Sequence, residues 1–138
     1  MNIDLLERDL IRDEGKRNKP YKDSKGILTI GIGHNLEEGI SDEAISFIFK
    51  NDIQTVIEDL DRNIPWWKTL DEVRQRVLAN MCFNLGIVRL LEFRKFLMAA
   101  QAGDYKTAAK EMMDSLWASQ VGKRAVRLEH MMRTGEDI

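Results

Sequence analysis

Ile3, Leu6, Leu10 and Ile11 recur at the three-and-four spacing of one helix face, with Leu5 widening the stripe and Gly15 as a stop. The pattern predicts a first helix over about residues 3–13. "KRNKP" (16–20) is polar and ends in Pro20, which suits a loop. "KDSKG" (22–26) predicts a hairpin turn, with Asp23 accepting local backbone donors and Gly26 in the left-handed position. The period then changes to two. Leu28, Ile30 and Ile32 alternate with Ile27, Thr29, Gly31 and Gly33, predicting a buried apolar face and an opposite face open to close approach.

From Ser41 onward every pattern is helical. Ser41 is placed to cap a helix with acids in its first turn and a stripe of Ile45, Ile48, Phe49, Ile53, Val56, Ile57 and Leu60. At 1.5 Å per residue it is roughly 30 Å long, enough to bridge two lobes. Pro65 interrupts the chain before "WWKTLDEVRQRVLANMCFNLG". "LEFRKFLMAAQAG", "YKTAAKEMMDSLWASQ" and "GKRAVRLEHMMRTG" each predict a further helix, and the short connections favour a helical lobe. The expected fold is α+β: a small β-hairpin lobe with its bridging helix over 13–60, and a larger all-helical lobe from 1–12 and 61–138. A ligand cleft between the two lobes follows from this division.

Composition narrows the function. With 21 Lys and Arg against 23 Asp and Glu in 138 residues, the formal charge is -2, and no nucleic acid partner is expected. The opening residues are charged and no apolar run nears the ~20 residues of a bilayer span, so neither a signal segment nor a membrane anchor is expected. His34, His130 and Cys82 form no metal-ligand spacing, so no metal or other cofactor is expected. Cys82, in "ANMCFNLG", reads as a core thiol rather than a nucleophile. "GIGHNLEEG" lacks the third glycine and the βαβ setting of a dinucleotide fingerprint, and no G-x-S-x-G occurs. The methionine pairs 112–113 and 131–132 read as core fill, and Trp66 and Trp67 as hydrophobic anchors at a helix start.

What remains is a carboxylate pair. Glu14 falls at the C-terminal end of the first helix, where the dipole disfavours negative charge, as a proton donor requires. Asp23 sits at a turn whose backbone donors favour its ionised form, as a base requires. Thr29 follows on the hairpin, where its hydroxyl can help Asp23 hold a water. Two carboxyl groups in unlike surroundings divide acid from base, the arrangement that glycoside hydrolysis needs.

The runs "RDEG" (12–15), "YKDSKG" (21–26) and "LTIGIGH" (28–34) resemble the phage-type lysozymes of the T4 endolysin kind, glycoside hydrolase family 24. "DEVRQRVLANMCFNLG", "FRKFLMAAQAGDYKTAAKEMMDSLWASQ" and "KRAVRLEHMMRTG" resemble that family's later helices in order, so the likeness covers nearly the whole chain. It implies a lysozyme-like fold and hydrolysis of the bond between N-acetylmuramic acid and N-acetylglucosamine in bacterial peptidoglycan, with inversion. Carried over by position, Glu14 is the general acid, Asp23 activates the water and Thr29 assists. Asn35, Phe83, Asn84 and Arg124 are implied as substrate-binding residues, with Arg124 paired to Glu14. His34 and Asp52 are implied as a structural pair. A monomer is expected, made in the host cytoplasm and released to the wall by a separate holin-type pore protein.

Two features depart from the family pattern. Only six residues separate His34 from Ser41, so the β lobe and its sugar subsites should be reduced, and the net charge is not basic. The rival readings are a lytic transglycosylase, for which Asp23 has no use, and a peptidoglycan-binding module without turnover.

Overall fold

The computed structural model describes residues 1–137, which group into two units, Met1–Ile48 and the chain from Phe49 onward. The first unit opens with α1 (Ile3–Glu14). Asn2 caps it by accepting the Leu5 N–H, and Gly15, at φ +76°, closes it by donating to the Ile11 carbonyl. Strands β1 (Arg17–Lys22), β2 (Leu28–Gly31) and β3 (His34–Asn35) form an antiparallel sheet in the order β1-β2-β3. A single 3-10 turn, Leu36–Glu38, takes up most of the short link to α2 (Asp42–Asn63), whose start Ser41 caps through the Ala44 N–H.

Two expectations for this unit change. The segment expected as a loop at "KRNKP" is largely strand. Arg17 pairs with Gly31 and Tyr21 with Thr29, so four steps along β1 match two along β2, and Pro20 lies in that irregular stretch. An edge strand with a bulge tolerates a residue that lacks an N–H. The burial of the hairpin is also reversed. Leu28 and Ile32 are 41% and 43% exposed, whereas Thr29, on the face expected to be open, is 4% exposed. A three-stranded sheet with no second layer in its own unit buries the centre of its middle strand and little else. Ile32 has in any case left the strand for the turn. The first unit includes α1: it runs through Gly15 into β1, and the Glu14 side chain lies against Gly33 of the same unit.

The second unit holds the apolar core. The end of α2 and a 3-10 turn (Pro65–Thr69) lead into α3 (Glu72–Leu85), α4 (Ile87–Leu91), α5 (Arg94–Gln101), α6 (Tyr105–Met113), α7 (Leu116–Val121) and α8 (Lys123–Thr134). With eight α-helices and one small antiparallel sheet among the described residues, the chain is α+β, as expected. Leu60, Ile64, Leu78, Met81, Leu90, Phe96, Met112 and Met132 are fully buried, each stabilising by roughly 1.5–3 kcal/mol in area removed from water. Ala100, Ala108, Ala109 and Ala125 are buried as well, and these small side chains let α6 lie close against α5 and α8.

"YKTAAKEMMDSLWASQ" forms two helices rather than one. The Ser115 hydroxyl donates to the Met112 carbonyl and accepts the Ala118 N–H, ending α6 and starting α7. Trp67 is buried and its indole N–H donates to Asp61, which fits the anchoring role expected of it. No helix among the described residues is long and apolar enough to cross a membrane.

Arg74 locks the end of α8 to α3. Its guanidinium donates to the carbonyls of Met132 and Arg133 and to Asp71, and stacks 3.5 Å from the Tyr105 ring centre. These carbonyls belong to the helix end that has no partner of its own. Arg74→Lys should lose the fork and the stacking, and urea unfolding should show a destabilisation of about 1–3 kcal/mol.

Three acids of this unit tie stability to pH. Trp67 and then Lys68 hold the Asp61 carboxyl below the usual range. For Asp71, burial pushes upward, but the side-chain and backbone N–H groups of Arg74 together outweigh it. Asp104, capping α6, is held down by its bonds from Thr107. A carboxyl that releases its proton more readily when folded adds stability above its unfolded value, about 4. That contribution should disappear as pH falls through the lower folded values. Urea midpoints should therefore drop below pH about 4, and less steeply in Asp61→Asn.

Candidate active site

Asp23 begins the turn between β1 and β2, and its side chain organises that turn. One carboxylate oxygen, Oδ1, accepts the N–H of Lys25 at 2.8 Å and of Ile27 at 2.9 Å, leaving Oδ2 outside these bonds. The Asp23 N–H donates to the Ile27 carbonyl at 2.9 Å, and the Asp23 carbonyl accepts the Gly26 N–H. The short acid at this point is what makes the turn, as an Asx arrangement does.

The Thr29 hydroxyl donates to that same Ile27 carbonyl at 2.8 Å. Its proton is thereby committed, so toward any water beside it Thr29 can only accept. Glu14 is the last residue of α1. Its carboxyl arm lies over Gly33, where a Cβ would stand 2.7 Å from Oε2. Glu14, Asp23 and Thr29 thus belong to one unit, carried on a helix end, a hairpin turn and the buried centre of β2.

Asn35 stands opposite Thr29 in the ladder and its Oδ1 caps the 3-10 turn through the Glu37 N–H. His34 is exposed, and its Nε2 donates to the Gly39 carbonyl at 2.8 Å, which assigns the proton to that nitrogen. Asp52, Phe83, Asn84 and Arg124 lie in the second unit. Phe83, half-exposed on α3, meets Phe49 edge to face. The Asn84 Oδ1 accepts the indole N–H of Trp117 at 2.7 Å. Arg124 donates from Nε to the Asn80 side chain at 2.9 Å and from Nη2 to its carbonyl at 3.3 Å.

Sequence reasoning passed over three residues. Ile27 works through its peptide, which has no side-chain signature. Asn80 holds Arg124 and lies one helical turn before Asn84, a spacing that could have marked it. Gly33, expected only as part of a face open to close approach, is approached by Glu14.

Residues 12–133 match the family model described as Phage lysozyme. The chain is 31% identical to "Pre-baseplate central spike protein Gp5" of Enterobacteria phage T4 over 97% of its own length, but spans only 28% of that protein. It is 29% identical to "Probable T4-type lysozyme 1" of Dictyostelium discoideum, matching 93% of this chain and 94% of that one. With "Endolysin" of Salmonella phage P22 the identity is 31%, over 67% of this chain and 74% of the phage protein.

Cys82 takes no part in this arrangement. Burial, with a smaller push from Asp59, raises its thiol to about 11, so little thiolate is present near neutrality. At pH about 8 iodoacetamide should alkylate the native chain at least 100-fold more slowly than the urea-unfolded chain, whose thiol titrates near 8.5.

Proposed function

The chain belongs to the phage lysozyme family and is a lysozyme, and from that premise we propose that it hydrolyses the β-1,4 bond between N-acetylmuramic acid and N-acetylglucosamine in bacterial peptidoglycan. Glu14 gives its proton to the glycosidic oxygen as the bond from the muramic acid C1 breaks. Water attacks C1 from the opposite face and passes its proton to Asp23. One water is consumed, and the configuration at C1 is inverted. The observation that carries this reading is the backbone of Ile27, whose N–H donates to the Asp23 carboxylate and whose carbonyl accepts the Asp23 N–H and the Thr29 hydroxyl. A water between Asp23 and Thr29 can then donate one hydrogen to each, which directs its lone pair toward the sugar.

Asn35, Phe83, Asn84 and Arg124 are the proposed glycan contacts. Phe83 has an exposed aromatic face of the kind that packs on a sugar ring. The pairings Glu14–Arg124 and His34–Asp52 remain part of this proposal. So does the setting: release to the wall by a separate pore protein, action as a monomer, and no cofactor.

Muropeptide analysis tests the reaction. Wild type should release fragments with hydrated reducing ends, and proton NMR should show the α-anomer first. Anhydromuramic ends would establish the transglycosylase instead, and wall binding without release would establish a binding module. Glu14→Gln and Asp23→Asn should each lower kcat by about 10²–10⁴-fold. Full activity in either variant would remove that residue from its role.

A further inference from the structure

We propose that Gly33 is a positioning residue for the proton donor, an inference that rests on Glu14 having the role given above. The turn between β2 and β3 carries two glycines in the left-handed region, Gly31 at φ +68° and Gly33 at φ +65°. Their backbones make nearly the same demand, since an L side chain is disfavoured at either. Their surroundings differ. A Cβ built at Gly31 meets nothing within 4 Å. One built at Gly33 stands 2.7 Å from the Glu14 Oε2, 2.9 Å from its Cδ and 3.0 Å from its Cγ.

Three successive atoms of the acid's arm therefore lie across the bare backbone of Gly33. Within its own unit no hydrogen bond or ion pair holds the Glu14 carboxyl, so there the Gly33 surface limits where it stands. That matters because of what would yield if the space were filled. The turn is tied into the sheet by the pairing of Ile30 with His34, whereas Glu14 is the end of a side chain that can rotate away. A methyl group at position 33 moves the donor and leaves the sheet. The penalty falls on proton transfer, which depends steeply on placement, rather than on substrate binding.

The pair of glycines supplies its own control. Gly33→Ala and Gly31→Ala should lower the melting temperature by similar amounts, because both force a side chain into the left-handed region. Gly33→Ala should in addition lower kcat by about 10- to 100-fold with KM little changed, while Gly31→Ala stays within about threefold of wild-type kcat. In a Glu14→Gln background the Gly33→Ala change should cost less than about threefold, since the group it displaces no longer donates.

Equal kcat losses in the two alanine variants, or an undiminished Gly33→Ala effect in the Glu14→Gln background, would overturn the proposal. A wild-type measurement needs no variant to fold: a nuclear Overhauser contact between the Gly33 Hα and Glu14 Hγ protons is expected, and its absence overturns the proposal as well. If Glu14→Gln itself kept full activity, the assignment of the donor would fail instead, which the contact measurement tells apart.

Discussion

The backbone of Ile27 is engaged at both its N–H and its carbonyl. Its N–H reaches the Asp23 carboxylate, and its carbonyl receives both the Asp23 N–H and the Thr29 hydroxyl. Neither side chain can change direction without breaking a bond to the same short piece of backbone. The arrangement is local, closed within seven residues from Asp23 to Thr29, and needs no large core to maintain it. That independence suits its location. Thr29 is the single buried residue among those of Met1–Ile48, and the apolar core lies wholly in the second unit.

The second unit uses a different kind of constraint. Its helices are held by area removed from water and by small residues that permit close approach, with polar groups at the ends. Ser115, Asp104 and Asp71 each cap a helix start, and Arg74 gathers the last carbonyls of α8. Hydrogen bonds of this type add modest stability one at a time, but they set where each helix stops. The interruption at Ser115 illustrates it, since apolar residues continue on both sides and only the hydroxyl marks the break.

Much of this was legible in the residues. The cap at Ser41, the stop at Gly15 and the turn at Asp23 follow from side-chain chemistry acting on the nearest backbone, and the structure has all three. The motif order that pointed to phage lysozymes is likewise matched by the family comparison over 12–133. What was not legible depends on distant pairing. β1 is a strand because β2 lies beside it, despite Lys, Asn and Pro20 in its sequence. Leu28 and Ile32 alternate as core residues do, yet burial requires a covering layer that periodicity cannot supply. Gly33 could be seen as permissive, but its neighbour comes from nearly twenty positions earlier in the chain, at Glu14.

The bond between Asn84 and Trp117 settles which way an amide faces. An indole N–H can only donate, so the amide oxygen of Asn84 must turn toward it and the nitrogen must turn away. The outward group is therefore a pair of hydrogens with no lone pair to offer. That orientation is set from thirty-three residues further along the chain, by a tryptophan whose only polar side-chain atom is a donor.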